Sequence, residues 1–260
     1  MIEDIVRYLS DEADVRAVVL SGSRGAGLVD TSSDWDLYVY ADQVDLTIRR
    51  ALAEKFAHHA EVGNTFFEDG DELLLGDGVV VDLMYRTPTW IEEEIARTWI
   101  QCQARVGYTT AFIHNIQKSV IYYDPTGWFR GLQRQVNGPY PAPLKHAIIA
   151  KNYPLLRTKL TASYTEQIKK AIERGDQVSV MHRVSALLAS YFDVLFALNE
   201  VTHPGEKRLV TWAQTHCRLL PNGFAEQIEA ITMHLHESNL VTHINKLLDS
   251  LDRLFEKHHH

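Results

Sequence analysis

Apolar positions along the first half of the chain recur with two different periods, and the change of period separates helices from strands. Ile2, Ile5, Val6 and Leu9 follow the 3.6-residue spacing of a helix over Met1–Ser10. Val15–Ser21 and Asp34–Tyr40 are short β-branched and aromatic runs that predict strands, with Trp35, Leu37 and Val39 on one face. Helical spacing returns over Gln43–His59 through Val44, Ile48, Leu52 and Phe56. Glu72–Leu75 and Val79–Met84 predict strands joined by a turn at Gly76, Asp77 and Gly78. A helix from Trp90 to Cys102 follows Pro88, and Ser119–Tyr123 predicts one more strand before the Asp124–Gly127 turn.

After Gly138 the strand signals stop. The run GPYPAP from Gly138 is a cluster of helix and strand breakers and marks the expected domain boundary. Beyond it only helical periodicity remains, at roughly 143–172, 177–200, 206–219, 223–236 and 239–256. The expected fold class is α+β: a mixed β-sheet domain with flanking helices over 1–138, then an α-helical bundle over 139–257. Residues 258–260 are histidines and read as a purification-tag remnant.

Against this layout, three acidic residues stand in strands. Asp34 and Asp36 are separated by one residue, so a strand projects both carboxylates from the same face. Asp82 sits inside GVVVDLMYR, where a carboxylate is unusual unless paired or bound to a cation. Adjacent carboxylates repel, and a hard divalent ion such as Mg²⁺ relieves the repulsion. Upstream, Ser21, Gly22 and Ser23 end the first strand with small residues that let backbone N–H groups approach a phosphate. Phosphate, metal and paired carboxylates together point to phosphoryl or nucleotidyl transfer.

This pattern of Gly-Ser, an interval of about ten residues, Asp-x-Asp and a later strand Asp resembles the polymerase-β-like nucleotidyltransferase superfamily, and most closely its small-molecule, aminoglycoside-type branch. The resemblance implies that Asp34, Asp36 and Asp82 are the catalytic, metal-binding carboxylates of a two-metal Mg²⁺ site. It implies that Gly22 and Ser23 hold nucleotide phosphates, with Arg24 in reach of them. An α/β domain followed by helices also matches the architecture of that branch. The segment HPGEKRLVTWAQ from His203 is similar to one in aminoglycoside adenylyltransferases, which assigns phosphate contact to Lys207, with Arg208 in reserve and Lys151 as a further candidate. The implied substrates are an NTP, with ATP the expected donor, and a small hydroxyl-bearing acceptor. The other member class of this superfamily leaves a second reading open: a non-catalytic or regulatory protein that binds nucleotide or a partner protein. A haloacid-dehalogenase-like phosphatase also uses DxD, but Tyr38 stands where its pattern wants Thr or Val.

Charge and composition adjust this picture modestly. Residues 1–105 hold 9 Lys and Arg against 21 Asp and Glu, whereas the remainder holds 17 against 13. An acidic first part suits a metal site and a cationic acceptor such as an aminoglycoside. No basic stripe interleaved with aromatics is present, which disfavours a long nucleic-acid substrate. Cys102 and Cys217 lack metal-ligand spacing and are expected as free thiols. No leader-like or membrane-length apolar run was found, so a cytoplasmic protein is expected, as monomer or homodimer. On the helix over Gln177–Glu200, His182, Ala186, Ala189, Asp193 and Glu200 make a stripe of small and polar groups. It is read either as a solvated or lightly packed face or as a cleft lining. In the second case Asp193 or Glu200 competes with Asp82 for the role of general base.

Overall fold

The computed structural model describes residues 1–12, 14–22, 34–159 and 163–258. The chain divides into two compact units: residues 1–97 with 112–139, and residues 98–111 with 140–260. Among the described residues there are eleven α-helices and six strands, an α+β protein with a mixed sheet.

The first unit is built on that sheet. Its strands are β1 (Val15–Leu20), β2 (Trp35–Ala41), β3 (Ala57–Asn64), β4 (Gly70–Leu75), β5 (Val80–Arg86) and β6 (Val120–Tyr123). Across the sheet the order is β3-β4-β5-β2-β1-β6. Only β2 and β5 run parallel; every other neighbouring pair is antiparallel. One face carries Val18, Leu37, Val39, Leu73 and Leu83, which are buried with Ile5 and Leu9 of α1 (Ile2–Ser10) and Leu52 of α2 (Leu46–Phe56). Trp35 packs on the edge of this core, so Trp35, Leu37 and Val39 lie opposite the carboxylates. The unit also contains α3 (Pro88–Ile95), α4 (Ala111–Lys118) and α5 (Trp128–Val136).

Two departures from the expected layout matter. The helix predicted to His59 ends at Phe56, and residues 57–64 form β3 instead. Asp45 caps the helix start by accepting from the Thr47 N–H at 2.7 Å, while Ala57 already takes extended backbone and leads into β3. In addition, α4 and α5 flank β6 where no element was expected.

The second unit is helical: α6 (Ala142–Leu156), α7 (Tyr164–Glu173), α8 (Gln177–Leu198), α9 (Leu209–His216), α10 (Phe224–Met233) and α11 (Leu240–His258). The single helix expected over 143–172 is two, because Pro154 removes a backbone donor near its end and Arg157 turns to extended backbone. The helix α8 is long and apolar enough to cross a membrane by length and composition, contrary to the sequence expectation, and 61% of its most apolar window is buried. Cys102 and Cys217 are free.

Candidate carboxylate site

The parallel register of β2 and β5 sets Asp36 directly beside Asp82. Neighbouring strands lie about 4.8 Å apart, so two carboxylates in register on one face are obliged to interact. The antiparallel β4–β5 register adds Glu72 on the other side of Asp82, and β3–β4 register sets Glu61 beside Glu72. Four strands thus carry a row of acids in the order Glu61, Glu72, Asp82, Asp36. Sequence reasoning had singled out only the last two, since Glu72 acquires its meaning from strand pairing.

Asp82 is half-buried, and its carboxyl is pushed up to about 6. Loss of solvent is the largest cause, followed by the negative charges of Asp36, Glu72 and Asp34. Asp34, exposed just before β2, therefore acts on Asp82 electrostatically.

The turn after β1 reaches the same place. The Ser21 N–H donates to the Asp36 carbonyl at 2.9 Å. Gly22 then adopts φ +61°, and a Cβ added there would lie 1.7 Å from Asp36 Oδ2. Only glycine fits against that carboxylate. Below it, the Ser21 and Ser119 hydroxyls are hydrogen-bonded at 2.5 Å, and Ser119 Oγ donates to the Asn115 carbonyl at 2.7 Å. This buried pair ties the end of β1 to β6. Ser23 and Arg24 lie outside the described residues.

All-oxygen donors of this kind suit Mg²⁺, which is held by one or two protein carboxylates and completed by water and phosphate oxygens. Asp36 and Asp82 fit that requirement. Among the described residues no group of three His, Cys, Asp or Glu stands close enough to enclose a metal by itself.

The remaining candidates belong to the second unit. Lys207 and Arg208 are exposed at the start of α9, where Arg208 takes a left-handed φ of +53°. Lys151 is exposed on α6. Asp193 fits neither reading of its stripe, being 1% exposed. It accepts from the Thr109 N–H at 3.1 Å and lies 2.6 Å from Thr109 Oγ1, and Asn152 Nδ2 donates to it at 3.2 Å. Ala189 of the stripe packs on the same loop: a Cβ on Gly107 would come within 3.0 Å of its side chain. Glu200 is exposed and paired with Lys145 at 3.0 Å.

The site so defined is a row of strand carboxylates with a glycine turn against one of them. Residues 107–209, less than half of the chain, match a family described as a domain of unknown function (DUF4037). No curated protein sequence matches. Among solved structures, the chain is similar to a nucleotidyltransferase-like protein from Exiguobacterium sibiricum 255-15, at 12% identity and TM-score 0.46, covering 99% of this chain and 75% of that one. It is similar to an aminoglycoside 6-adenyltransferase from Bacillus subtilis at 11% identity and TM-score 0.30, covering 99% and 87%. A Thermotoga maritima CCA-adding enzyme complexed with tRNA shows 12% identity and TM-score 0.33, covering 99% and 80%. Likenesses at these scores carry no argument about chemistry, which rests on the carboxylates and the turn.

Proposed function

We propose that this chain is a metal-dependent nucleotidyltransferase that moves a nucleoside monophosphate from an NTP, with ATP the expected donor, to a hydroxyl of a small molecule. The observation that supports it most is the pairing of Asp36 with Asp82 in register, with Gly22 closed against Asp36. In this reading Asp36 and Asp82, with Asp34 beside them, would hold Mg²⁺, which would supply positive charge to the triphosphate and the leaving pyrophosphate. In the same reading Gly22, Ser23 and Arg24 are the residues assigned to the phosphates. Asp82 carries a second role. Its carboxylate is also the group assigned to take the acceptor hydroxyl's proton. The burial of Asp193 and its hydrogen bonds to Thr109 argue against that role for it.

The acceptor is the least constrained part. The acidic first unit favours a cationic, aminoglycoside-like molecule. The expectation against long nucleic acid finds no support among the similar structures, one of which is a tRNA complex. The test is pyrophosphate release with Mg²⁺, each NTP in turn, and three acceptor classes: aminoglycosides, RNA and protein. Release with an aminoglycoside, lost in Asp36→Asn, supports the reading; release only with RNA or protein moves the acceptor to that class. Tight NTP binding by calorimetry with no release from any acceptor would instead establish the regulatory alternative.

A further inference from the structure

The loop between β3 and β4 exposes two phenylalanines, and buried arginines grip the residues that follow them. Phe66 is 77% exposed and Phe67 fully so. Glu68 accepts from Arg86 Nε and Nη2, both at 2.7 Å. The Arg86 guanidinium is itself buried, lying 3.9 Å from the Tyr38 ring centroid and 4.8 Å from that of Trp90. Asp69 accepts from the buried Arg49 at 2.9 Å, and its carbonyl accepts from the Tyr85 N–H at 2.9 Å. A loop anchored at two successive residues holds its aromatic pair outward in water, against the hydrophobic effect. Such an arrangement is unexplained within the unit.

The adjoining strand supplies the rest of the surface. β3 is the outermost strand of the sheet, eight residues long. It contains neither Lys nor Pro, the usual means of blocking edge pairing. Its irregularities against β4 fall at its ends, between Ala57 and His59 and between Val62 and Asn64, leaving 59–62 regular. His59 and Glu61 are both exposed on it.

We propose that a second copy of this chain pairs with β3 antiparallel, about a two-fold axis at Ala60. Three features argue for a copy rather than an unrelated partner. The register places His59 opposite Glu61 of the partner subunit, and by symmetry the converse, so the polar groups complement themselves. The backbone groups that no described residue pairs along the edge are satisfied on both copies. Continuing that register past Asn64 carries Phe66 and Phe67 onto the end of the other copy's α2. There the Tyr8 and Phe56 rings stand 6.0 Å apart, with Lys55 5.2 Å from each, a partly buried aromatic pair at the rim of the core.

The test is sedimentation velocity on the full chain across a concentration series, with variants at exposed positions that leave the fold intact. The wild type is expected to dimerise in the micromolar range. Phe66→Ser with Phe67→Ser should weaken dimerisation at least tenfold, roughly the loss of one well-packed apolar contact. His59→Glu and Glu61→Lys should each weaken it, and the double variant should restore it, because the charges are exchanged across the axis. A wild type that stays monomeric to about 300 µM, whatever else its phenylalanines bind, overturns the proposal. So does a dimer indifferent to all four substitutions.

Discussion

Asp82 and Asp193 share one symptom and have opposite surroundings. Both carboxyls are pushed above the usual range, to about 6 and about 7, with loss of solvent as the first cause. For Asp82 every further contribution is a like charge. For Asp193 the further contributions are hydrogen bonds from Thr109, which act in the opposite direction. Asp193 is thus already partnered, and its burial serves to pin the 105–110 loop to α8. Asp82 stands in a field that only an added cation relieves. A raised carboxyl alone does not mark a functional group; the sign of its neighbours does.

The comparison breaks most visibly on turnover. Removing a metal-binding charge forfeits several kcal/mol of transition-state stabilisation, so Asp36→Asn and Asp82→Asn should each lose about a thousandfold in kcat. Circular dichroism should show an unchanged fold. Activity within tenfold of wild type in either variant would remove the carboxylate row from the chemistry.

Asp193 should behave the other way. Asp193→Ala leaves the Thr109 N–H and the Asn152 amide without their acceptor in a dry site, costing ~3 kcal/mol of stability in urea titration. Asp193→Asn should cost less, since its carbonyl still accepts from Thr109. Loss of solvent raises the Asp193 carboxyl against the pull of the Thr109 hydrogen bonds. A neutral Asp193 is therefore favoured in the fold, and its contribution is full below pH 4 and lost as pH rises through about 7.

Gly22 offers a smaller and more local perturbation. Gly22→Ala forces a methyl into Asp36 and a left-handed backbone on alanine, at ~1–2 kcal/mol. If the turn positions Asp36 for its role, kcat should fall out of proportion to this loss in stability. A stability loss with full kcat would leave Gly22 a purely structural residue.

How much of this was legible beforehand depended on whether the signal was local. Asp82 stood out because a charge inside a β-branched run violates local expectation, and Asp34 and Asp36 because they are two carboxylates one residue apart downstream of a Gly-Ser turn. The face opposite them was readable from alternation through Leu37 and Val39. Glu72 was not, because an acid in GDELLL is ordinary until β4 pairs with β5. β3 was hidden because Phe56, Ala57 and Ala60 continue the helical spacing of α2, with no breaker between helix and strand. Asp193 was misread for a related reason: its neighbours Ala186 and Ala189 looked like a lightly packed stripe. The small Ala189 side chain instead admits the loop at Gly107, earlier in the chain.

The smallest expected effect is also the most discriminating. Asp82 is half-exposed, so solvent screens its repulsions and the net effect on stability stays within ~1 kcal/mol. The sign is definite. An acid whose folded value is raised favours the fold while protonated and loses that contribution as pH rises through about 6. Asp82→Asn mimics the protonated form, so at pH 8 it should be at least as stable as wild type, whereas Asp193→Ala is clearly weaker. Millimolar Mg²⁺ at pH 8 should then raise the wild-type Tm by neutralising the row, and should do so less in Asp82→Asn. An equal Mg²⁺ response in the two proteins would mean that the ion binds elsewhere, and Asp82 would join Asp193 as a carboxylate with a structural role.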